Sequence, residues 1–390
     1  MPVNFVQVKE SLKTYGEKVK VIKEQQAALA NKLWTNFSEK SDHYQELREF
    51  VLNAAQRINN LWCACPTNEP LLSHHALPHL PQLYTILAAD GSQIKPSRHK
   101  AIQFCIINVG VIKAHMGSGQ TPQCYTHSEL LDYDQIFSKD GALIDEDTVA
   151  LQRDYAERAA LATYVQDEKG QVITLTDGPL GLYKGTRSDA LQQTWEAKIL
   201  KVYQQLEKHA VIAAGYIDKP GSDLIGRLFS LIELSENQLH NYKSQNRYFK
   251  GISDAVLLSR LLKAHPGERS AVFQLISKPD KTTDKSLDVY FFYLNVGQPQ
   301  QPNLVRIEFP AWVANSPERV DLLHAAVYNE VRVLETHPYP YILHRAHELA
   351  VIHFDEYAEV ERLLSEEYLQ QGIPIGMQSN KEANKILSGR

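Results

Sequence analysis

The chain has 390 residues, of which 43% are hydrophobic and 22% charged, and its formal net charge is −5. These fractions are ordinary for a globular protein that buries a substantial core. The negative charge, without any run of basic residues, excludes a protein that coats nucleic acid by charge alone. No apolar stretch is as long as a membrane span and the N-terminus has no signal-peptide pattern, so we expect a cytoplasmic protein without a membrane segment.

The first part of the chain predicts helices and then a linker. Apolar residues recur at three- and four-residue steps from Val8 to Ile22 and again from Leu47 to Ile58. These helices either pack on the main body or form an arm for dimerisation or partner binding. Residues 66–81 contain four prolines, which predict an irregular linker. We therefore expect a helical arm with a linker at residues 1–80 and a main domain at residues 81–390.

Two predicted strands end in an aspartate that is followed by glycine. The apolar run 83–89 stops at Asp90, and residues 171–176 stop at Asp177. Between them, residues 101–114 predict another strand, joined to the first by a polar hairpin connection. Asp-Gly is above all a turn dipeptide, so each copy alone predicts only a turn. A carboxylate at the end of a strand is nevertheless held rigidly by the sheet and exposed at its rim.

A predicted helix supplies a third acid. Residues 145–166 have the period of an amphipathic helix, on which Glu157 borders the buried stripe and Arg153 lies one turn earlier, placed to pair with it. Together with Asp90 and Asp177, Glu157 would complete a pocket of hard oxygen ligands, which Mg²⁺ and Mn²⁺ prefer. Two such cations can activate water and stabilise the leaving oxygen when a phosphodiester is cleaved.

The rest of the chain alternates between predicted helices and strands. Antiparallel strands, a helix and then a strand ending in Asp fit an α/β fold with a ribonuclease H-like mixed sheet core, flanking helices and an N-terminal helical arm. The later elements are a helix at 188–210, strands at 210–217, 271–276, 289–296 and 304–309, and helices at 321–337 and 341–370.

The order of several short blocks resembles the NurA nuclease family, from about Asp90 to the C-terminus. No single block is diagnostic, and the resemblance rests on their order and spacing. The blocks are Asp90-Gly91-Ser92, Arg153 to Glu157, Asp177-Gly178, Ala214-Gly215-Tyr216-Ile217, Gly267-Glu268-Arg269-Ser270, Arg306-Ile307-Glu308-Phe309-Pro310 and Tyr339 to His347. The resemblance implies a nuclease domain with a ribonuclease H-like core at residues 81–390.

The resemblance also implies roles for individual residues. Asp90, Glu157 and Asp177 match family acids that bind a metal ion, preferentially Mn²⁺, with Mg²⁺ as an alternative. His347 and Tyr339 lie in a matching block, in which His347 would bind the metal or accept a proton from water. Basic residues close to the matched blocks are weaker candidates for contacts with DNA phosphates, namely Lys95, Arg98, Arg153, Lys219 and Lys381.

The activity that the resemblance implies is metal-dependent hydrolysis of DNA at its ends. A 5′-to-3′ exonuclease with some single-strand endonuclease activity is expected, acting in double-strand break repair. The family also implies a homodimer that works with a hexameric HerA-type ATPase on single- and double-stranded DNA ends. None of this partnership follows from composition or spacing.

Two other functions remain open. An actin-like or sugar-kinase-like ATPase would place Asp90-Gly91-Ser92 at a nucleotide phosphate, but it needs a second, similarly folded half that the sequence does not contain. A non-catalytic adaptor would keep the fold and dock an ATPase.

Two motifs are absent from the sequence: Val351 stands where a zinc protease would need a second histidine after His347-Glu348, and no Gly-Lys-Ser/Thr phosphate loop occurs.

Overall fold

The computed structural model describes residues 3–59, 61–137, 141–180, 190–240, 242, 247–277, 287–334 and 337–376. The chain divides into two compact units, each built from two stretches of sequence. The first unit joins residues 1–79 with 216–328, and the second joins residues 80–215 with 329–390. The domain boundary predicted at residue 80 stays a prediction. No helix in the described ranges is both long and apolar enough to span a membrane.

The described elements are strands and helices mixed along the chain, as in an α/β protein. The strands are β1 (Cys63–Pro66), β2 (His74–His75), β3 (Tyr84–Ile94), β4 (Ile106–Met116), β5 (Gln123–Leu130), β6 (Val172–Asp177), β7 (Ile212–Ile217), β8 (Arg269–Ser270), β9 (Phe273–Ile276), β10 (Val289–Asn295) and β11 (Leu304–Pro310). The helices are α1 (Phe5–Glu39), α2 (Tyr44–Arg57), α3 (Tyr133–Ile136), α4 (Glu146–Tyr164), α5 (Ala190–Lys208), α6 (Leu224–Ile232), α7 (Glu236–His240), α8 (Asp254–Leu262), α9 (Ala311–Ala314), α10 (Pro317–Arg332), α11 (Tyr341–Ala350) and α12 (Phe354–Gln370).

The second unit is organised around strand β3. This strand pairs antiparallel with β4 and parallel with β6, and the strand order is β5-β4-β3-β6-β7. Its residues from Tyr84 to Ala89 are all buried, as expected for a central strand covered on both faces. An antiparallel meander, followed by a helix that crosses over to a parallel strand beside the first, is the arrangement of ribonuclease H. The predicted ribonuclease H-like mixed sheet is therefore confirmed.

Strand β3 is longer than the sequence predicts. Asp90-Gly91-Ser92 continues the strand, and its three residues pair with Gly110, Val109 and Asn108 of β4. The predicted strand end at Ala89 and the turn at Asp-Gly are therefore wrong. The reason is that β4 offers partners along the whole segment, and this tertiary pairing outweighs the local turn preference of Asp-Gly.

Two other local predictions also differ from the structure. Strand β5 was not expected, because nearly all of its side chains are exposed and most are polar, so it lacks the alternation that marks a strand. The helix expected at 341–370 is broken into α11 and α12. The break lies at Val351 and Ile352, and His353 then caps α12 in a capping box with Glu356.

The first unit buries its own apolar core. Strands β1, β9, β10 and β11 lie side by side in this order, and each is antiparallel to its neighbour. Strand β8 pairs with both β2 and β10. The predicted N-terminal arm is present as the 35-residue helix α1. Only its second half is buried, through Ala30, Leu33 and Phe37, whereas its first half is exposed.

A buried histidine lies within this first unit. His324 of α10 is fully buried, and its Nε2 lies 2.6 Å from the carbonyl oxygen of Gly267, which fixes Nε2 as the protonated nitrogen. Burial is the largest effect and lowers the pKa of His324 to about 4. The hydrogen bond to the Gly267 carbonyl raises the pKa, and the positive charge of Arg269 lowers it. His324 therefore stays neutral in the folded protein.

We expect this histidine to make the protein less stable in mild acid. Because its folded pKa is about 4 and the unfolded value is about 6.5, only the unfolded chain takes up a proton between those pH values. The free energy of unfolding should therefore fall as the pH drops through this window, by on the order of 2–3 kcal/mol from His324, and be unaffected above pH ~7. Denaturant titrations of wild type and His324→Gln across this range measure the difference, since Gln keeps a donor and does not titrate. Parallel curves for the two proteins would contradict the assignment.

Candidate active site

Asp90 and His347 meet in the second unit. Asp90 lies inside β3, where its Oδ1 accepts a hydrogen bond from the amide of Gly91 at 2.9 Å. Its Oδ2 lies 2.6 Å from Nδ1 of His347, which is in the last turn of α11. When the imidazole is neutral, this contact places the proton on Nδ1 and leaves Nε2 as the nitrogen that can accept a proton or bind a metal. The two residues are 257 positions apart in sequence.

A glycine allows α11 to come so close to the sheet. Gly110 of β4 is the residue paired with Asp90. A Cβ atom at this position would lie 2.7 Å from the carbonyl oxygen of Ala346 and 2.8 Å from the amide nitrogen of Ala350. The backbone of α11 therefore rests directly on β4, a contact that only glycine permits here. This close approach positions His347 beside Asp90.

Two side chains from the sheet hold the C-terminal end of α11. The carbonyl oxygen of Ala350 accepts hydrogen bonds from Ser92 Oγ at 2.5 Å and from Asn108 Nδ2 at 2.8 Å. A carbonyl in the last turn of a helix has no partner within the helix, so these donors supply the missing bonds. They come from β3 and β4, the same strands that carry Asp90 and Gly110. The end of α11 is thus fixed to the sheet next to Asp90.

Glu157 approaches β3 from the other side. A Cβ atom on Gly91 would lie 2.7 Å from Oε1 of Glu157 and 2.7 Å from Cγ of Arg153, so α4 packs on the face towards which Gly91 points. Because neighbouring residues of a strand point to opposite faces, α4 and α11 cover opposite faces of β3. Arg153 Nε lies 3.3 Å from Glu157 Oε1, which agrees with the predicted pairing.

Glu157 is only 5% exposed. Burial raises its pKa to about 8, and the negative charge of Asp154 raises it further. Arg158 and Arg153 act in the opposite direction, and Asp90 makes a small contribution that raises the pKa. Burial on this face therefore favours the neutral form of the Glu157 carboxyl group over the carboxylate.

Asp177 lies beside Asp90 on the neighbouring strand. The parallel register pairs Ala89 with Thr176, so the next residues, Asp90 and Asp177, are at the same level. Adjacent strands are roughly 4.8 Å apart, and residues at the same level of parallel strands face the same side. Asp177 is the exposed last residue of β6, as predicted, and Gly178 then turns the chain with φ of +93°.

A buried arginine connects the helix of Glu157 to the loop that follows Asp177. Arg158 donates from Nε to the hydroxyl of Tyr203 at 2.9 Å, from Nη1 to the carbonyl of Asp154 at 2.9 Å and from Nη2 to the carbonyl of Pro179 at 3.2 Å. This residue is not among those that the sequence predicts. Its only signal is an arginine on the buried side of an amphipathic helix, where a charge requires partners.

The remaining predicted residues are more dispersed. Tyr339 is half-buried just before α11, and its role at the site stays a prediction. Lys95 follows β3 and pairs with Glu146 at 2.7 Å, both side chains being more than half exposed. Arg98 is exposed in the same connection. Lys219 belongs to the first unit, whereas Asp90 belongs to the second. Lys381 lies outside the described residues.

The donor set has the chemistry of a site for a hard divalent cation. Carboxylates and a neutral imidazole are ligands that suit Mn²⁺. Within the described ranges, however, no group of three or more His, Cys, Asp or Glu side chains is arranged to hold a metal ion. Asp90 is instead engaged by His347, and Glu157 by Arg153. Coordination by three of these residues requires their side chains to exchange these contacts for the cation.

We expect Gly110→Ala to destabilise the protein. The added methyl group would sit less than 3 Å from two backbone atoms of α11, which must move away from the sheet. The expected cost is about 1–3 kcal/mol. Gly221→Ala is the matched control, because a Cβ atom there meets nothing within 4 Å. Denaturant unfolding of both variants measures the effect, and equal stabilities would show that α11 does not depend on this contact.

Arg158→Met should also lower the free energy of unfolding. The substitution removes the three hydrogen bonds that the guanidinium donates, and hydrogen bonds that involve a charged group contribute roughly 1.5–3 kcal/mol each. Tyr203→Phe removes only one of the three bonds and should cost less. Thermal and denaturant unfolding would rank the variants. A larger loss in Tyr203→Phe than in Arg158→Met would rule out the linking role of Arg158.

Comparison with solved structures finds several chains to which this one is similar. Among solved structures, the NurA nuclease from Sulfolobus solfataricus aligns with a TM-score of 0.48 and 10% identity, covering 86% of this chain and 98% of that chain. The catalytic domain of human endonuclease V aligns with a TM-score of 0.32 and 13% identity, covering 75% and 85% of the two chains. LC9-RNase H1, a type 1 ribonuclease H, aligns with a TM-score of 0.22 and 16% identity, covering 35% and 64%.

Sequence comparison identifies the family directly. No curated protein matches the chain. The model of the NurA domain, by contrast, matches residues 84–352, which include Asp90, Glu157, Asp177 and His347. This match covers more than half of the 390 residues. The chain belongs to the NurA family of nucleases.

Proposed function

We propose that this protein is a metal-dependent deoxyribonuclease that hydrolyses phosphodiester bonds at DNA ends. The observation that carries the proposal is the position of Asp90: it lies level with Asp177 on the adjacent strand and contacts His347 at 2.6 Å. Two carboxylates and an imidazole at one point of a sheet are the groups that phosphodiester hydrolysis needs. Membership of the NurA family supports a nuclease acting on DNA.

The proposed cofactor is Mn²⁺, with Mg²⁺ as the alternative. Asp90 and Asp177 would hold it, with His347 as a further ligand. Glu157 would join them only by losing its proton and turning from the opposite face of β3 towards the ion. When bound, such an ion lowers the pKa of a coordinated water and stabilises the leaving oxygen. The support is the chemistry of the donors: the carboxylates of Asp90 and Asp177, which hard divalent cations prefer, and the imidazole of His347 in contact with Asp90.

His347 has one of two roles in this proposal. Its Nδ1 donates to Asp90, which fixes the tautomer and orients the ring in the way that a carboxylate commonly orients a catalytic or metal-bound histidine. Nε2 then either binds the cation or accepts a proton from the attacking water. The side chain is 63% exposed, so substrate and water can reach it.

The finer activity and the partners follow the family. We propose a 5′-to-3′ exonuclease with single-strand endonuclease activity, acting in double-strand break repair in the cytoplasm as a homodimer with a HerA-type ATPase. The net charge of −5 supports the need for a partner, because the isolated protein should bind DNA weakly and with steep salt dependence. Lys95, Arg98, Arg153, Lys219 and Lys381 are the proposed phosphate contacts.

The direct test of activity uses end-labelled single- and double-stranded DNA with the purified protein. Cleavage should require Mn²⁺ or Mg²⁺ and stop in EDTA. A non-catalytic adaptor would leave both substrates intact under all of these conditions. Cleavage that continues in EDTA would contradict metal dependence.

Asp90→Asn and Asp177→Asn should each abolish cleavage and leave the fold intact. Both substitutions keep the shape of the side chain and remove the charge that a divalent cation requires. Asp147→Asn is the control, because Asp147 is an exposed acid in the first turn of α4. The measurement is the rate of release of labelled nucleotides, with circular dichroism to verify folding. Near-normal activity of Asp90→Asn would refute the site.

His347→Ala should lower the cleavage rate severely, and the response to metal separates its two roles. If His347 is a ligand, a higher Mn²⁺ concentration should partly restore the rate. If it accepts a proton, the loss should be about 10²–10⁴-fold and should not respond to metal. Tyr339→Phe, which deletes one hydroxyl group, should have a milder effect. Normal cleavage by folded His347→Ala would make this residue structural.

A further inference from the structure

The first half of helix α1 carries an apolar seam that nothing covers in the described part of the chain. Its large side chains are between 45% and 74% exposed at five positions: Phe5, Val8, Leu12, Tyr15 and Ile22. Val19 belongs to the same line. The steps between successive members are three or four residues, which is the spacing of the a and d positions of a heptad repeat. From Phe5 to Ile22 the seam is about 26 Å long.

In the second half of the same helix, apolar side chains are buried against the first unit. The helix continues to Leu33 and Phe37, which are fully buried in the core of the first unit. A helix of this kind gains most of its stability from packing of its apolar face, and one left in water is marginal. Exposed apolar surface that continues a buried seam marks an interaction site.

Positive and negative side chains lie on different sides of this half of the helix. With Phe5 at position a, the flanking e and g positions carry Lys9, Lys18 and Lys23, all exposed. The acids Glu10, Glu17 and Glu24 all occupy position f, on the side of the helix opposite the seam. Flanking charges select the partner of a coiled coil, because they face the e and g positions of the other helix. The seam is therefore bordered only by positive charge or neutral residues.

This arrangement disfavours a second copy of the same helix. In a parallel pair, Lys18 of one helix would face Lys23 of the other, and an antiparallel pair would also bring like flanks together. It also disfavours a lipid surface, since interfacial helices bury a broad apolar face, whereas here lysines border the seam and the exposed large apolar side chains outside it are the separate Val6 and Val21. A helix with acidic flanks satisfies both the apolar seam and the lysines.

We propose that residues 5–23 of α1 are a docking helix for a different protein, which contributes an amphipathic helix whose apolar seam is flanked by Glu or Asp. The two helices would pair along their seams, with acidic flanks against Lys9, Lys18 and Lys23. The proposal does not depend on the nuclease site, which lies in the other unit.

Binding of two synthetic helical peptides to the full-length protein tests the proposal. Both peptides are about four heptads long and have Ile and Leu at the a and d positions. One carries Glu at all e and g positions and the other carries Lys, so each repels itself. Fluorescence anisotropy should show at least about tenfold tighter binding of the acidic peptide, a difference of about 1.4 kcal/mol. The preference should shrink as salt is added.

Variants of the arm make the result specific. Leu12→Asp should abolish binding of the acidic peptide, and the triple variant Lys9→Glu, Lys18→Glu, Lys23→Glu should reverse the preference between the peptides. All four positions are exposed, so the variants should fold and show the same DNA cleavage as wild type. A peptide preference that the triple variant leaves unchanged would overturn the proposal.

A second copy of this chain, or a lipid surface, would give results that contradict the proposal. If sedimentation velocity shows an oligomer that Leu12→Asp dissociates, the seam is a contact between copies of this chain and the proposal is wrong. Binding to phosphatidylserine vesicles that Leu12→Asp removes would identify a lipid-binding helix and would overturn it equally.

Discussion

The direct contact between the backbone of α11 and strand β4 is the constraint on which the candidate site depends. Gly110 allows this contact, and hydrogen bonds from Ser92 and Asn108 to the end of α11 secure it. Only at this separation does His347, near the C-terminus of the chain, reach Asp90 at 2.6 Å. The close packing therefore brings two residues that are distant in the sequence into contact, so that the carboxylate of Asp90 orients the imidazole of His347.

The opposite face of β3 holds two buried ionisable side chains, a carboxyl group whose neutral form burial favours and a charged guanidinium. Glu157 and Arg158 are adjacent on α4, and both side chains are almost inaccessible to water. Buried charges usually cost stability unless they are fully paired, so their presence in a helix interior needs a compensating use. Arg158 ties α4 to the loop after Asp177, and Glu157 lies against Gly91, next to Asp90. These contacts link α4 to strand β3, which carries Asp90, and to the loop that follows Asp177.

The sequence was sufficient for those features that depend on local pattern. The strand end at Asp177 and the position of Glu157 at the buried stripe follow from periodicity and from the glycine after Asp177. Asp90 was placed at a strand end because Asp-Gly favours a turn, and only its pairing with Gly110 keeps it inside β3. The contacts of His347 with Asp90 and of Arg158 with Pro179 join residues that no local pattern relates. The exposed strand β5 was missed because it owes its existence to pairing with β4.

The central claim is that Asp90 belongs to a binding site for a divalent cation. The most direct measurement is anomalous X-ray diffraction from crystals soaked in Mn²⁺, which locates the ion without reference to activity. The account predicts an anomalous peak in contact with the carboxylate of Asp90, with Asp177, Glu157 or His347 completing its ligands. A well-occupied peak elsewhere, or none at Asp90 at a Mn²⁺ concentration that supports DNA cleavage, would contradict it.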